Sequence, residues 1–443
     1  MLSFIGILLG LFTLIFLAFK RVNIYIFAPA AAIVVLLFAR LNVWEVMSTT
    51  YIQGIGNYVS KNGMLFLTSA IFAASMGASG AAHYIALKLA ALALRSKNSK
   101  FMAMFYIAVV LMVLTMGGIN LFVVIFLIAS IARDVYEKLD IPWAFMMANM
   151  WGSGTVTGWA LPGAPSVTNL LPTNYLGTDA MAGPVLGVIM AIEIAVLCNL
   201  YIWFILKRAE KNGEHFLPTG ALITEREKGK EIDRELDPNM NLFKCLLPSI
   251  IVLVTLNIIK LPNGICLMLG TLCCFILFWK NFDKNIRKCL DAVVQGFNNG
   301  FSVLLPVGFM AGFGAVVSQT PGFEYAVSLL DKIHAPEALQ VLIIANLAAG
   351  LCGSASGGMG IMFGAFADRF AQMSLSPGAI HRLCTVGSCG LDSLPHNASI
   401  QSGLRVYGLE LNWTCYQHAF FTQTVFPLIV GLTAVVLASM GVV

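Results

Sequence analysis

The sequence predicts an all-α polytopic membrane protein of about 12–14 membrane segments, some of them broken or re-entrant, arranged as two inverted-topology repeats. Three observations lead there. Hydrophobic residues make up 58% of the 443 and charged residues only 11%, against roughly 45–50% and about 25% in soluble domains. Glycine-rich, polar-dotted breaks interrupt runs otherwise apolar enough to span a bilayer, and they come in two sets, one in each half. Lysines and arginines gather in alternate loops, which sets the parity of the crossings.

Stretches 2–19, 22–39, 101–116, 180–206, 261–279, 301–317 and 416–443 approach or exceed the length of about 20 apolar residues that spans a hydrocarbon core. The first has no basic region before it and Lys20-Arg21 after it, the reverse of a signal peptide, and is expected to be a retained span. Shorter or interrupted stretches lie at 63–82, 119–132, 143–160, 246–259, 338–351, 361–367 and 378–391. Half-helices and re-entrant hairpins are expected among these, because irregular backbone is tolerated at membrane depth only where protein or a cavity covers it.

A hydrophilic segment at 208–242 divides an N-terminal transmembrane repeat, 1–207, from a C-terminal one, 243–443. With each stretch crossing once and the N-terminus outside, twenty of the 27 Lys and Arg residues fall inside and five outside, while Arg382 and Arg405 take neither side. Topology follows Lys and Arg counts, so the linker is expected in the cytoplasm. Seven passes in the first half, an odd number, oblige the second half to start from the opposite face. Both halves open with two back-to-back spans and continue through a Gly-Gly break, a proline-opened segment (Ile141-Pro142, Ser376-Pro377), a Gly-Ser step (Gly152-Ser153, Gly387-Ser388) and Leu-Pro-x-x-x-Ser.

The breaks carry the candidate chemistry. Pro162 and Pro165 block helix continuation and Gly163 permits conformations closed to other residues, so the chain unwinds there. Ser166, Thr168 and Asn169 then stand at a new helix start, whose amides favour an anion. His396, Asn397 and Ser399 are placed alike after Pro395. Two such starts facing each other would cradle a carboxylate without a fixed lysine or arginine. Asn120, after Gly117-Gly118, and Ser354, Ser356 and Gly357 in the second glycine cluster are expected to line the same cavity. Asp392, three residues before Pro395, is the first choice for a proton-coupling carboxylate, since substrate charge beside it would alter its proton affinity. Glu193, in the middle of 180–206, is the second candidate.

Other chemistries find little support. The ten cysteines are scattered, with no His or Cys neighbours at metal-ligand spacing, so neither a metal nor a cofactor is expected. The formal charge of +5 lies in short loops and implies no nucleic-acid partner. No phosphate-binding loop is present, which leaves ATP-driven transport without a motif. Gly77-Ala78-Ser79-Gly80 with His83 admits an intramembrane hydrolase, using Ser79 or Ser399, as the rival from another class.

The run from Ala160 to Thr178, which reads ALPGAPSVTNLLPTNYLGT, resembles the gluconate:proton symporter (gluconate permease) family of the ion transporter superfamily. Gly117-Gly118-Ile119, the cluster 353–358 and Leu394-Pro-His-Asn397 are similar to that family's other signatures, in the same order. The resemblance implies proton-coupled uptake of gluconate or a related hydroxy or keto acid, with Gly163, Pro165, Asn169, His396 and Asn397 lining the substrate region. Ser166-Val167-Thr168, Ala398-Ser399 and Glu410-Leu411-Asn412-Trp413 depart from the family pattern. The expectation is therefore a symporter of a small organic acid anion working by alternating access in the cell inner (plasma) membrane. Its expected partners are that anion, a coupling proton or alternatively sodium, and the lipid bilayer, with homo-oligomerisation left open.

Overall fold

The computed structural model describes residues 2–20, 22–93, 95–116, 121–150, 157–164, 166–227, 240–331 and 335–443. Every regular element among the described residues is helical, as a lipid solvent requires of a chain that must satisfy its own backbone. Pro184–Asn212, Ile286–Ser318 and Trp413–Ser439 are each long and apolar enough to cross a membrane, and seven shorter apolar helices accompany them among the described residues.

Each half opens with a pair of packed helices, Leu2–Phe19 with Ile24–Ala39 and Leu242–Asn257 with Asn263–Leu277. A long helix follows each pair. In the first half Val43–Val46, Met47–Tyr51 and Ile52–Ala78 run on as one rod; in the second it is Ile286–Ser318. The two long helices pack on each other antiparallel, Tyr51 opposite Gly312 and Ile71 opposite Gly296. A Cβ at position 296 would stand 2.4 Å from the Ile71 Cα, so only glycine permits this approach.

Both rods are longer than the apolar runs at 63–82 and 301–317 suggest, and Ala81–Ala93 and Pro321–Asp331 are helical where no span is expected. Polar residues such as Asp291, Gln295, Asn298 and Asn299 mask the extra turns of the second rod in a hydropathy window, while helical hydrogen bonding and the glycine contacts continue through them.

A helical hairpin comes next in each half. Ser99–Met116 and Leu121–Lys138 have their feet together, where Lys100 Nζ donates to the Asp140 carbonyl at 2.8 Å. Glu337–Cys352 and Ala355–Ala371 likewise share a foot, because Ser374 N and Oγ donate to Glu337 Oε2 at 2.8 and 2.7 Å and Arg369 Nη2 donates to Gln340 Oε1 at 2.6 Å. The two pairs of feet lie at opposite ends of the molecule. Asp140 also takes a hydrogen bond from Phe216 N at 2.9 Å, at the start of the linker, whereas Gly378 packs on Gly183, beside the chain end where Val185 N donates to the Val443 carbonyl.

From each hairpin foot a broken segment crosses to the other end. The first passes through Trp143–Phe145, Met146–Ala148, Thr157–Ala160, Val167–Leu170 and Thr173–Leu176; the second through Pro377–Gly387, Leu391–Ser393 and Ala398–Val406. Trp143 Nε1 donates to the Tyr407 carbonyl at 2.8 Å, so the first begins where the second finishes. Pro184–Asn212 and Trp413–Ser439 then return in opposite directions. Rod, hairpin, broken crossing and return helix thus occur twice with their ends exchanged, the inverted arrangement expected from the loop charges.

Candidate functional site

The tip of the second hairpin meets the break in the second crossing. Gly353 ends Glu337–Cys352 with φ +59°, the left-handed conformation glycine adopts without strain, and Ser354 caps the returning helix by accepting from Gly357 N at 3.2 Å. His396 fills the space above this turn: a Cβ on Gly353 would lie 2.5 Å from its ring carbon. Its Nε2 bonds the Gly350 carbonyl at 3.0 Å, and its buried Nδ1 has no hydrogen-bond partner among the described residues.

Asp392 enters the same place from the break. One carboxyl oxygen accepts from Ser393 Oγ at 2.7 Å, the other from Asn397 Nδ2 at 3.4 Å, and the Ala355 N–H at the start of the hairpin's second helix faces the group. Asn397 caps Ala398–Val406 by accepting from Ser399 N at 2.7 Å and Ile400 N at 3.1 Å, and from the Ser399 hydroxyl. The Tyr58 hydroxyl, on the first rod, hydrogen-bonds the Ser356 side chain. Of the sequence candidates, Ser354, Ser356, Gly357, Asp392, His396, Asn397 and Ser399 are therefore gathered at one depth.

The first-half break is built differently. Gly163, at φ +78°, donates its N–H to the Ala180 carbonyl at 2.8 Å, and Ser166 accepts from Asn169 N at 3.2 Å and touches the Thr168 hydroxyl at 3.1 Å. The helical piece that starts there, Val167–Leu170, is a single turn. A full half-helix with a strong dipole does not form, because Pro172 and Gly177 interrupt it.

Positive charge comes instead from a residue that sequence reading left unassigned. Arg382, fully buried, donates through Nε to the Ala182 carbonyl at 2.5 Å, through Nη2 to the Ala180 carbonyl at 2.9 Å and through Nη1 to Asn169 Oδ1 at 3.0 Å. Next to it His381 Nε2 bonds Asn169 Oδ1 at 2.8 Å while its Nδ1 meets the Thr178 hydroxyl at 2.8 Å. Asn169 Nδ2 donates to the Ala164 and Ala180 carbonyls at 2.8 and 3.0 Å. All four hydrogen bonds an amide side chain can make are thereby used inside the protein, and Asn169 holds the loop's shape. The cradle expected to need no fixed arginine has one beside its first break.

Val167–Leu170 and Thr173–Leu176 pack on Ala355–Ala371, with Tyr175 stacked on Phe363 at 4.9 Å. The helix that offers its amino terminus to Asp392 is thus also the wall against which the first-half break rests. Glu193 is elsewhere: its Oε1 accepts from Thr433 Oγ1 at 2.9 Å, between the two return helices. Ser79, the rival nucleophile, caps a helix end, donating to the Met76 carbonyl at 2.9 Å and accepting from Ala81 N at 3.2 Å. Asn120, Pro165 and the Gly152-Ser153 step lie outside the described residues. Among the described residues no group of three or more His, Cys, Asp or Glu could hold a metal ion.

The one available signal for Arg382 and His381 was their position in an apolar stretch, where ionisable groups are costly and therefore informative.

Residues 2–438 match the GntP family permeases. An uncharacterized transporter of Bacillus subtilis (strain 168), YxjC, is 27% identical over 447 aligned positions that cover 91% of this chain and 92% of that one. The crystal structure of the Alcanivorax borkumensis YdaH transporter is similar over 90% of this chain and 89% of its own, at 15% identity and a TM-score of 0.43. A helical chain with paired hairpins and broken crossings, matched over nearly its whole length by one family, is a membrane-integral permease: it belongs to the GntP family.

Proposed function

We propose that this permease is a proton-coupled symporter of a small organic acid anion, gluconate or a related hydroxy or keto acid, in the cell inner membrane. The linker end, which collects Lys100, Lys138, Lys207 and Lys211, faces the cytoplasm by the positive-inside rule. The repeats 1–207 and 243–443 form the two halves between which the solute passes, and the segment 208–242 joins them.

One observation carries this reading: the Asp392 carboxyl faces the Ala355 N–H at the amino terminus of Ala355–Ala371, in the break that also carries His396. A helix amino terminus attracts a carboxylate, and here the protein supplies its own. An arriving solute carboxylate seeks the same amides, and two negative charges at one site favour uptake of a proton by one of them. A protonated Asp392 releases the Ala355 N–H to the solute. Proton and anion then load together, while a site holding only one of them is disfavoured. Arg382, close to the first break, adds positive potential without offering itself as a direct ligand. Opening to alternate faces moves the broken crossings and hairpins of the two halves relative to one another.

Uptake of labelled gluconate and glycerate into proteoliposomes, under an inward proton gradient or an inward sodium gradient, tests the proposal. Accumulation above the equilibrium level with the proton gradient alone is expected. Accumulation driven only by sodium would replace the proton with a metal cation, and flux that never exceeds equilibrium would remove the symporter.

A further inference from the structure

Gln423 and Thr424 stand on Phe420–Val425, a π-helical turn within the second return helix. Turns of this kind are uncommon and concentrate at functional sites. Both side chains are buried, at 2% and 3% exposure, and among the described residues Gln423 Oε1 and Thr424 Oγ1 have no hydrogen-bond partner. The turn packs directly on Leu391–Ser393, the break that carries Asp392, and Tyr416, one turn earlier, donates its hydroxyl to the Ser393 carbonyl at 3.0 Å.

A third group stands on the first crossing, which packs beside this helix. Phe145 and His418 meet ring to ring at 4.9 Å, and their segments pack together and run the same way, away from the linker end. One turn onward from each come Asn149 and Thr422. Asn149 is fully buried beside the Tyr136 hydroxyl, yet among the described residues neither its oxygen nor its nitrogen makes a well-formed hydrogen bond. Leaving a buried polar group unpaired costs about 1–3 kcal/mol, so several together beside the transport site call for a ligand that completes them.

The chemistry of that ligand follows from the set. Amide oxygen, amide nitrogen and hydroxyl are neutral and together both donate and accept, which suits alcohol groups. A cation is disfavoured by the Asn149 N–H groups, and the Asp392 oxygens nearby already have donors. We propose that Gln423, Thr424 and Asn149 form a subsite for the hydroxyl groups of the transported acid, remote from its carboxylate, and so set which acid is carried. The proposal rests on the organic-anion reading above.

Calorimetric binding of paired acids to the purified full-length protein tests it, using gluconate against hexanoate and glycerate against propionate, which differ within each pair only in hydroxyls. Gln423→Met and Thr424→Val keep the side-chain volumes and remove the hydrogen bonds, and gel filtration shows which variant remains folded. Either folded variant is expected to weaken gluconate or glycerate about tenfold, the loss of roughly one hydrogen bond, with no change for the deoxy partner. Equal weakening within a pair, no change in either, or an altered sodium dependence would overturn the subsite. If the unaltered protein binds none of the four acids, the organic-anion reading fails first, and the subsite with it.

Discussion

Arg382 Nη1 donates to Asn169 Oδ1 across 3.0 Å, so a cation in the second half's crossing holds the amide that shapes the break in the first. The bond spans 213 positions of sequence and joins the two repeats inside the molecule. Around it the Ala160 carbonyl, freed by the unwinding at Pro162 and Gly163, and the Ala180 and Ala182 carbonyls of the loop before Pro184 find their donors. The break in one repeat is therefore stabilised by the helix of the other.

Arg382→Lys is expected to be as damaging as Arg382→Met, because an ammonium cannot reproduce the planar fork that serves several acceptors at once. Either change leaves buried carbonyls unpaired and should cost at least about 2 kcal/mol, read as a lower melting temperature in detergent. Asn169→Ala combined with Arg382→Met should fall short of the sum of the single changes by about 1 kcal/mol or more, as expected for side chains in one network. Full additivity would place the two residues in separate networks.

Gly353→Ala should lower stability by about 1–2 kcal/mol for the left-handed backbone alone, and the added methyl must also displace the His396 ring. Gly360→Ala on the same hairpin meets nothing within 4 Å among the described residues and serves as the neutral comparison. Loss of transport in the first variant and its retention in the second, measured as uptake into proteoliposomes, is the expected pattern.

The linker is latched at its start. His215 Nδ1 meets Asp140 Oδ2 at 2.5 Å and Phe216 N donates to Oδ1 at 2.9 Å, and the His215 contact, followed by the Phe216 N–H, holds the Asp140 carboxyl below its usual range. A depressed carboxyl contributes stability that is fully present above the unfolded value of about 3.9 and is lost as pH falls through the lower folded value. Hydrogen exchange of residues 214–223 should accelerate in that acidic window. Asp140→Asn should bring faster exchange already at neutral pH.

Much of this architecture was legible in the sequence because its causes are local. Proline beside glycine at 162–163 forces unwinding wherever it stands, and Asn397 after a Leu-Pro step caps the helix that follows, as Ser166 caps its single turn. The inverted order was readable because basic loops report the side of the membrane to which each end belongs. Contacts made at a distance were not readable. Nothing near Arg382 in the chain names Asn169, and the polar turns at 286–300 look like a loop until the first rod is laid against their glycines. Gln423 and Thr424 were hidden because a π-helical turn has no sequence signature as plain as proline, and their polarity vanishes in an apolar window.

The claim at the centre is that Asp392 exchanges the Ala355 amide for a proton when the solute arrives. Asp392→Asn in proteoliposomes loaded with unlabelled gluconate, or with whichever acid the protein accumulates, tests it directly. Loss of proton-driven accumulation with solute counterflow retained is the predicted result; driven accumulation at the unaltered rate would contradict it.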